Sequence, residues 1–336
     1  MEQLWSDPQV EPVGDGVYRI PLPLPSDGLR AVNVYAVRDA DSLVLIDSGW
    51  ALAESRDLLE KSLGQLDADL GMITRFLVTH VHRDHYTQAV ALRREFGMRV
   101  ALGLGEQPTL DFIRSGRTLE LSLVELRRCG AAPLVEQLLA AGGPGPVGEY
   151  WDDPDEWLGD EQPVELTSRR LRVLNTPGHT SGHVVFVDEG NRLLFAGDHV
   201  LPHITPSIGV EPRRDGRNAL SRYVESLELM LRLPDLRLLP AHGPTAASTH
   251  VRVRELQHHH ELRLAASLAA IQGGARTAYQ AAMVLPWTRR ERAFADLDLY
   301  NQLLATHETK AHLDVLVERG QLHTGTDGDA VTYIRP

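Results

Sequence analysis

The chain has 336 residues, 43% of them hydrophobic and 6% aromatic, which suits one large globular domain plus a small one. Its formal charge is −12, from 34 basic and 46 acidic residues, which disfavours non-specific binding to nucleic acid or anionic membranes. The single cysteine, Cys129, excludes an internal disulfide. No apolar stretch approaches the ~20 residues of a membrane span, and the first residues lack a signal peptide's basic and apolar regions. We therefore expect a cytoplasmic protein without membrane association.

Strand and helix patterns alternate through the first hundred residues. Strands are predicted at residues 17–20, 32–37 and 42–46, where apolar and β-branched residues cluster. A helix is predicted over residues 53–63, followed by a buried apolar strand at residues 72–78. A second helix and a short strand at residues 100–102 come next. This strand-rich order is compatible with a domain in which packed sheets carry helices outside them.

The most informative stretch is T-H-V-H-R-D-H, which directly follows the apolar strand at residues 72–78. It offers four side chains that bind metals, His80, His82, Asp84 and His85. In an extended chain His80 and His82 project to the same side. Asp84 and His85 can converge with them only if the chain turns there, and we expect the following helix to supply that turn. The stretch therefore predicts a metal site at the carboxyl end of a strand.

Three later blocks add further ligand types, each directly after an apolar strand. The first is N-T-P-G-H-T-S-G-H, which carries His179 and His183. The second is G-D-H, which carries Asp198, and the third is H-G-P, which carries His242. Five histidines and two carboxylates without cysteine suit an open hydrolytic site better than a closed structural zinc site.

With these four blocks the sequence closely resembles the metallo-β-lactamase superfamily, in particular its glyoxalase II-like hydrolases, over roughly residues 10–250. The resemblance implies an α+β fold, an αββα sandwich, that binds two Zn²⁺ ions per chain, although iron or manganese would also suit the ligands. It implies the following assignment of ligands: His80, His82 and His179 to the first metal, Asp84, His85 and His242 to the second, and Asp198 to both. It also implies that Asp47 and His183 lie behind the ligands and orient them.

The predicted catalytic domain covers residues 1–250 and contains a helical insertion at about residues 103–162. Residues 119–128 and 134–139 have helical patterns. Residues 149–161 carry seven acidic side chains and no lysine or arginine, and they are either a solvated loop or part of a wall of the substrate pocket. The histidines at 258–260 are flanked by charged residues, which favours a solvated helix face.

Residues 251–336 are predicted to form a linking helix and a small second domain. The linking helix ends at Gly273, and three helices and two short strands follow it. This order resembles the winged-helix domain that is appended to some metallo-β-lactamase-fold hydrolases. From residue 251 onward there are ten basic and ten acidic residues, whereas nucleic-acid readers concentrate basic charge on one face. We therefore expect a packing or oligomerisation module and leave open whether the protein is a homodimer.

The predicted activity is that of a zinc-dependent metallo-hydrolase acting on a small-molecule ester or thioester. Two metal ions would lower the pKa of a bound water to roughly 7, so that hydroxide attacks a polarised carbonyl, with Asp84 as the catalytic carboxylate. A thioester is the first hypothesis. A lactonase or β-lactam hydrolase, a metal-dependent RNA or DNA nuclease and a mononuclear iron sulfur dioxygenase are alternatives. Neutral charge in the last segment counts against the nuclease.

A group of residues after Asp198 could line the mouth of the substrate pocket. His203 lies in an apolar, proline-containing loop, and three arginines follow it: Arg213, Arg214 and Arg217. The arginines would hold an anionic substrate tail, and exposed surface charge is an equally good interpretation of them.

Overall fold

The computed structural model describes residues 4–25, 28–142, 148–210, 216–288 and 291–336. The strands in these ranges are β1 (Glu11–Gly14), β2 (Val17–Pro23), β3 (Ala31–Asp39), β4 (Ser42–Ile46), β5 (Ile73–Val78), β6 (Arg99–Gly103), β7 (Glu156–Leu158), β8 (Pro163–Glu165), β9 (Arg170–Asn175), β10 (Val184–Asp188), β11 (Leu193–Gly197), β12 (Arg237–Pro240), β13 (His323–Asp327) and β14 (Ala330–Ile334). The α-helices are α1 (Ala53–Gly64), α2 (Arg83–Phe96), α3 (Gln107–Arg114), α4 (Thr118–Arg128), α5 (Ala132–Ala140), α6 (Ala219–Arg232), α7 (Thr249–Gln272), α8 (Ala278–Val284) and α9 (Leu299–Glu318).

Two β-sheets pack against each other and enclose the main core. The first has the strand order β1-β2-β3-β4-β5-β6-β7, and the second has the order β12-β11-β10-β9-β8. One buried cluster joins side chains from both sheets, and Tyr35 of β3 meets Phe195 of β11 edge to face with ring centroids 5.5 Å apart. Because alternate residues of a strand point to opposite faces, the apolar strands bury their second faces as well. The predicted two-sheet sandwich is therefore present.

Helices cover the far side of the seven-stranded sheet. The strands β4, β5 and β6 run parallel, which requires crossover connections, and α1 and α2 are those connections. Helix α1 packs on β2, and α2 packs on β5 and β6. Parallel strands end at the same edge of the sheet, so β4 and β5 deliver their following residues to one place.

The chain turns where the sequence required it to turn. Helix α2 begins at Arg83, with His82 in extended conformation at its N-cap position. Asp84 and His85 therefore lie on the first turn of α2, while His80 still follows strand β5. Helix α2 ends at Phe96, and Gly97 follows it in the left-handed conformation, at φ +81°.

Contacts divide the chain into two compact units. The first unit contains residues 1–111, 148–206 and 226–253, and the second contains residues 112–147, 207–225 and 254–336. The second unit thus gathers most of the predicted insertion together with the C-terminal segment, whereas the sequence suggested a simple boundary at residue 250. In the second unit α5 and α8 pack on α9, and α4 packs on β14.

The C-terminal elements differ from the prediction in one helix. The linking helix is present as α7, and β13 and β14 form the predicted hairpin. Among the described residues between them, α8 and α9 are the α-helices, and a 3-10 turn at Phe294–Asp296 stands where the second of three helices was expected. Helix α9 begins early because the Asp298 side chain accepts a hydrogen bond from Asn301 N. None of the helices in the described ranges has the length and apolarity needed to cross a bilayer.

The acidic segment at residues 149–161 is not helical, which corrects part of the predicted insertion. Residues Glu156–Leu158 form β7 at the edge of the seven-stranded sheet. Arginines of neighbouring elements neutralise the acids: Arg75 pairs with Glu156 at 2.6 Å, and Arg94 pairs with Asp152 at 2.7 Å. The strand pairing and these ion pairs explain why an acidic segment follows the sheet edge.

Candidate metal centre

The ligand blocks meet because the strands that precede them end close together. Strand β5 delivers His80 and His82, α2 carries Asp84 and His85, and the loop after β9 carries His179. Asp198 follows β11, and His242 follows β12, which lies parallel to β11 in the second sheet. The structure thus brings all seven predicted ligand side chains to neighbouring strand ends.

The seven side chains form two groups that could each hold a metal ion. The first group contains His80, His82, His179 and Asp198, and the second contains Asp84, His85 and His242. Within each group one ligand atom per residue lies within 4.8 Å of all the others. Five of these residues are at most 6% exposed, and only His82 and Asp84 are partly open to solvent. Access to the centre therefore lies beside His82 and Asp84.

Three imidazole nitrogens of the first group point at one another. The Nδ1 atom of His82 lies 3.0 Å from Nε2 of His80 and 3.0 Å from Nε2 of His179. The Thr79 hydroxyl donates to Asp47, so it accepts from Nδ1–H of His80 at 3.1 Å. The Nε2 atom of His80 therefore directs a lone pair into the group. Converging lone pairs are what a bound cation requires.

The second group shows the same orientation. Nδ1 of His85 donates to Oδ2 of Asp47 at 3.0 Å, and Nδ1 of His242 donates to the carbonyl oxygen of Ala31 at 2.8 Å. The Nε2 atoms of both rings consequently face inward. Asp47 holds its carboxylate there from a left-handed backbone conformation, with φ at +59°. Such a conformation is unfavourable for a non-glycine residue and is typical of functional sites.

Asp198 lies between the two groups. Its Oδ2 atom is 3.4 Å from Nε2 of His179, while its Oδ1 atom is 3.3 Å from Nε2 of His242 and 3.8 Å from Nε2 of His85. Each carboxylate oxygen thus faces one group. A carboxylate in this position can bridge two cations.

Burial and neighbouring charges shift the pKa values of the candidate ligands in different directions. Burial opposes protonation of His85, but Asp84 and Asp47 outweigh burial and raise its pKa to about 10. Burial, reinforced by His179, lowers the pKa of His82 to about 3. Burial raises the pKa of Asp198, but His242 and His85 lower it more, so the net shift is downward. His82 and Asp198 are thus in the neutral and ionised forms that metal ligands need, whereas a metal ion would have to displace the proton that Asp84 and Asp47 favour on His85.

Buried polar atoms test whether the centre suits a metal ion. Nε2 of His85, Nε2 of His242 and Oδ1 of Asp198 are buried and have no hydrogen-bond partner among the described residues. Leaving such atoms unpaired costs roughly 1–3 kcal/mol each, so they need another partner. Nitrogen and oxygen ligands without sulfur suit zinc, iron or manganese. The residues present therefore fit a metal ion.

His183 supports the centre from behind. Its Nδ1–H donates to the Thr176 hydroxyl at 2.8 Å, and its Nε2 accepts from the backbone N–H of Asp198 at 3.1 Å. Burial, with His199 nearby, holds the pKa of His183 well below its usual range, so the ring stays neutral. Gly197, at φ +50°, makes room, because a Cβ there would lie 2.7 Å from Nε2 of His183. His183 thus fixes the backbone that presents Asp198.

Strand β3 holds the turn that carries His242. The Asn33 side chain donates to the carbonyl oxygens of Pro240 and Gly243, each at 2.8 Å, and the Tyr35 hydroxyl donates to Pro240 at 2.7 Å. The buried Arg19 guanidinium donates to Oδ1 of Asn33 at 2.9 Å and fixes that amide. A residue early in the chain therefore sets the position of the last ligand.

The proposed pocket residues differ in what the structure shows of them. His203 is exposed, and its loop packs against Gly243, where a Cβ would lie 2.6 Å from Cγ of Pro202 and 3.8 Å from Cδ2 of His203. Arg217 pairs with Glu225 at 2.8 Å and belongs to the second unit. Arg213 and Arg214 lie outside the described residues. Among these residues, only His203 is described next to a ligand turn.

Sequence reasoning missed several polar residues of the centre. Thr79 links Asp47 to His80, Thr176 holds His183, and Asn33 holds the His242 turn. Glu106, fully buried, accepts a hydrogen bond from Thr180 beside His179. The signal available for Thr79 and Thr180 was a hydroxyl residue adjacent to a ligand. Asn33 and Glu106 lie far from the ligands in sequence and had no such signal.

Comparison with known proteins identifies the family of this arrangement. The sequence profile described as Metallo-beta-lactamase superfamily matches residues 27–242. A metallo-beta-lactamase family protein of Thermus thermophilus has a similar crystal structure, with a TM-score of 0.72 and 28% identity. That similarity covers 96% of this chain and 99% of the other. The metallo-β-lactamase fold predicted from the sequence is confirmed, and the similarity extends through the C-terminal elements.

Two curated relatives bear on chemistry. The Lactamase-like protein nscB of Aspergillus fumigatus is 28% identical over 246 residues, which is 72% of this chain and 57% of the relative. The Hydroxyacylglutathione hydrolase GloC of Haemophilus influenzae is 27% identical over 161 residues, 48% of this chain and 62% of the relative. The matched regions thus span about three fifths of these relatives' lengths.

Proposed function

The chain belongs to the metallo-beta-lactamase superfamily, and on that premise we propose that it is a binuclear metal-dependent hydrolase whose substrates are thioesters. The observation that carries the proposal is the position of Asp198, whose two oxygens face two separate ligand groups. The first metal would be held by His80, His82 and His179, and the second by Asp84, His85 and His242. We propose zinc as the native metal.

The bound metals would supply Lewis-acid polarisation of a carbonyl and a water that is ionised near neutral pH. The chain's own residues hold the ligand rings aligned, through Asp47, Thr79 and Ala31. Side-chain burial at the centre excludes bulk water from all but the edge beside His82 and Asp84. These features support hydrolysis without a serine or cysteine nucleophile.

Asp84 is the carboxylate best placed to move a proton. Its side chain is 16% exposed, compared with 9% for Asp198, and its Oδ2 lies 3.5 Å from Nε2 of His85 and of His242. A carboxylate at the open edge can orient a water molecule and then return its proton to the leaving group. We assign Asp84 this role.

A thioester suits this arrangement because its leaving group makes a small demand on the proton donor. A departing thiolate has a conjugate-acid pKa of about 8.5, so it leaves without full protonation. The similarity to the Hydroxyacylglutathione hydrolase GloC supports the same substrate class, since hydroxyacylglutathione is a thioester.

A β-lactam or lactone hydrolase is the second candidate. The observation that favours it is the name Lactamase-like protein carried by relatives such as nscB. A β-lactam releases an amine nitrogen, which must be protonated as it leaves. The two candidates therefore differ in how strongly they depend on the proton of Asp84.

The experiment is a hydrolysis panel on zinc-reconstituted protein. Hydroxyacylglutathione, an acyl-coenzyme A, a lactone and a chromogenic β-lactam are compared at equal concentration, with Asp84→Asn assayed in parallel. We expect turnover to be highest with a thioester. The expected loss in Asp84→Asn is largest for the β-lactam, roughly the 10²–10⁴-fold of a full general acid–base contribution, and smaller for the thioesters, whose leaving group needs less protonation.

The control is Glu95→Ala, which removes an exposed carboxylate that pairs with Arg56 and leaves every candidate ligand in place. Higher turnover of the β-lactam than of every thioester would replace the first candidate by the second. Equal activity of wild type and Asp84→Asn would contradict the role given to Asp84.

A further inference from the structure

The loop that carries His179 rests on the segment after β6 through unusually close backbone contact. A Cβ on Gly103 would lie 2.3 Å from the carbonyl oxygen of Gly182, and one on Gly105 would lie 2.7 Å from Cα of Gly182. A Cβ on Gly182 itself would lie 2.0 Å from the backbone nitrogen of Glu106. Only glycine permits these approaches, so the two backbones are held in one register.

Glu106 lies inside this contact. Its residue is fully buried, and its Oε1 accepts a hydrogen bond from the hydroxyl of Thr180, which is itself 1% exposed. Burying a carboxylate costs free energy unless neighbouring groups hydrogen-bond to it or pair with it. Thr180, which donates such a hydrogen bond here, is the residue next to His179, a candidate metal ligand.

Thr180 transmits this contact to His179. The carbonyl oxygen of Thr180 accepts from the backbone N–H of Gly178 at 2.9 Å, which closes a tight turn around His179. At the other end of the ring, Nε2 of His179 lies 3.0 Å from Nδ1 of His82 and 3.4 Å from Oδ2 of Asp198. The turn therefore directs Nε2 of His179 toward the other ligands of the first group.

We propose that Glu106 is a positioning residue for the first metal: through Thr180 it fixes the turn that presents His179. The inference rests on the proposed function only in requiring that metal ions bind. Its distinguishing consequence is selectivity. Thr180 adjoins His179 of the first group, whereas the second group, Asp84, His85 and His242, is drawn from α2 and the residue after β12, so the affinity of the second group should stay unchanged.

The test measures Co²⁺ binding to the full chain by titration, following the visible absorption of the bound cobalt and the heat released. Four proteins are compared: wild type, Glu106→Ala, Glu106→Gln and Thr180→Val. We expect two binding steps in wild type. In Glu106→Ala and Thr180→Val one step should weaken about 10–100-fold, the usual effect of losing a supporting partner of a ligand. Glu106→Gln keeps an acceptor oxygen and should restore most of the affinity.

The matched control is Glu95→Ala, which removes an exposed carboxylate that pairs with Arg56 on the protein surface. It should bind Co²⁺ as wild type does. Circular dichroism and thermal melting identify any variant that fails to fold, and Thr180→Val, which changes one hydroxyl to a methyl, then decides the question.

Unchanged binding in folded Glu106→Ala and Thr180→Val, or equal weakening of both steps, would overturn the inference. Because no substrate is present, the outcome is separate from the proposed activity. Two-step binding with the expected selective loss, together with no hydrolysis of any thioester, would remove the proposed substrate class and leave the role of Glu106 intact.

Discussion

Each compact unit buries a cluster of histidines, but the two clusters are built in opposite ways. In the first unit His80 and His85 are fully buried; Nε2 of His80 lies 3.0 Å from Nδ1 of His82, and Nε2 of His85 has no hydrogen-bond partner among the described residues. In the second unit His260 and His312 are each 1% exposed, and they are hydrogen-bonded to each other at 3.1 Å. Burial alone therefore does not separate a metal site from a core.

The direction of the N–H groups separates them. In the second unit Nδ1–H of His312 donates to the carbonyl oxygen of Glu308 at 2.8 Å, so its Nε2 accepts from Nδ1–H of His260. The two rings also stack, with centroids 5.3 Å apart and an angle of 29°. In the second unit each ring N–H donates to the next acceptor in a row, whereas in the first unit the lone pairs of several ring nitrogens converge on shared points. The predicted solvated face at residues 258–260 is thus wrong for His260.

The largest expected effect comes from removing the carboxylate that distinguishes the first cluster. Asp198→Ala deletes both oxygens that face the two groups, so we expect turnover to fall at least about 100-fold and metal content to drop below two equivalents. Elemental analysis after desalting and steady-state kinetics measure this, and circular dichroism checks the fold. Near-normal turnover with two retained metals would mean that Asp198 bridges nothing.

The second cluster should respond to mutation in stability and not in metal content. His260→Leu leaves Nε2 of His312 without its donor, which should lower the free energy of unfolding by about 1–3 kcal/mol. Replacing both rings, in His260→Leu/His312→Leu, removes the unpaired group and should recover part of that loss. Urea denaturation gives the free energies. Loss of bound metal in these variants, with the fold intact, would break the comparison.

Acidification should weaken the second cluster. Burial lowers the pKa of His312 to about 3, and burial, with His312 beside it, lowers the pKa of His260 well below its usual range. Nearby Arg263 and His259 add to both shifts. Below about pH 6.5 the unfolded chain binds more protons than the folded one, so stability present above that pH is lost as pH falls toward 3. For His312 alone the loss at pH 5 is about 2 kcal/mol.

The pH effect is measured as a difference, because the candidate ligand histidines also titrate. Unfolding free energies of wild type and of the double leucine variant are compared at pH 7 and pH 5. The double variant should lose less stability over this interval. An identical loss in both proteins would show that the His260–His312 pair does not titrate as its burial predicts.

The smallest expected effect is on nucleic-acid binding, where we expect none. Helix α9 carries Lys310, which pairs with Asp314 at 2.6 Å, and it is followed by Arg319, which pairs with Glu261 at 2.9 Å. Both cations are therefore used within the second unit. Titration of labelled RNA and duplex DNA against the full chain tests this. Tight binding that falls on the order of 10³-fold or more between 50 and 200 mM salt would assign the second unit a nucleic-acid role.

The sequence predicted the candidate centre better than its surroundings because ligands follow strands. Each predicted ligand block came directly after an apolar run, and those runs are β5, β9, β11 and β12. The strand β10 and the helix α6 were missed, although Leu220, Tyr223 and Leu227 repeat at helical spacing and are buried. Local hydrophobic patterns therefore contain enough information to place these strands and this helix.

Other features depended on tertiary contact and could not be predicted locally. Nothing adjacent to His260 in sequence indicates His312, which is 52 residues away and supplies its hydrogen bond. Asn33 contacts the backbone of Gly243 across 210 residues. The acidic residues at 149–161 suggested exposure, yet Glu156 lies in a strand because Arg75 and a free sheet edge are available to it.

The anchoring of the His242 turn on β3 has a consequence for how the molecule is made. His242 receives its orientation from Ala31 and Asn33, so the second ligand group is completed only after the chain has been synthesised past residue 242 and has closed a contact of about two hundred residues. Contacts of such long sequence separation form late, because the entropy cost of closing the loop comes before the stabilisation that the contact provides. The first group, drawn from residues 80–198, can assemble earlier. Uptake of a second metal would therefore report the end of folding, and a truncated chain that stops before β12 would carry one metal at most.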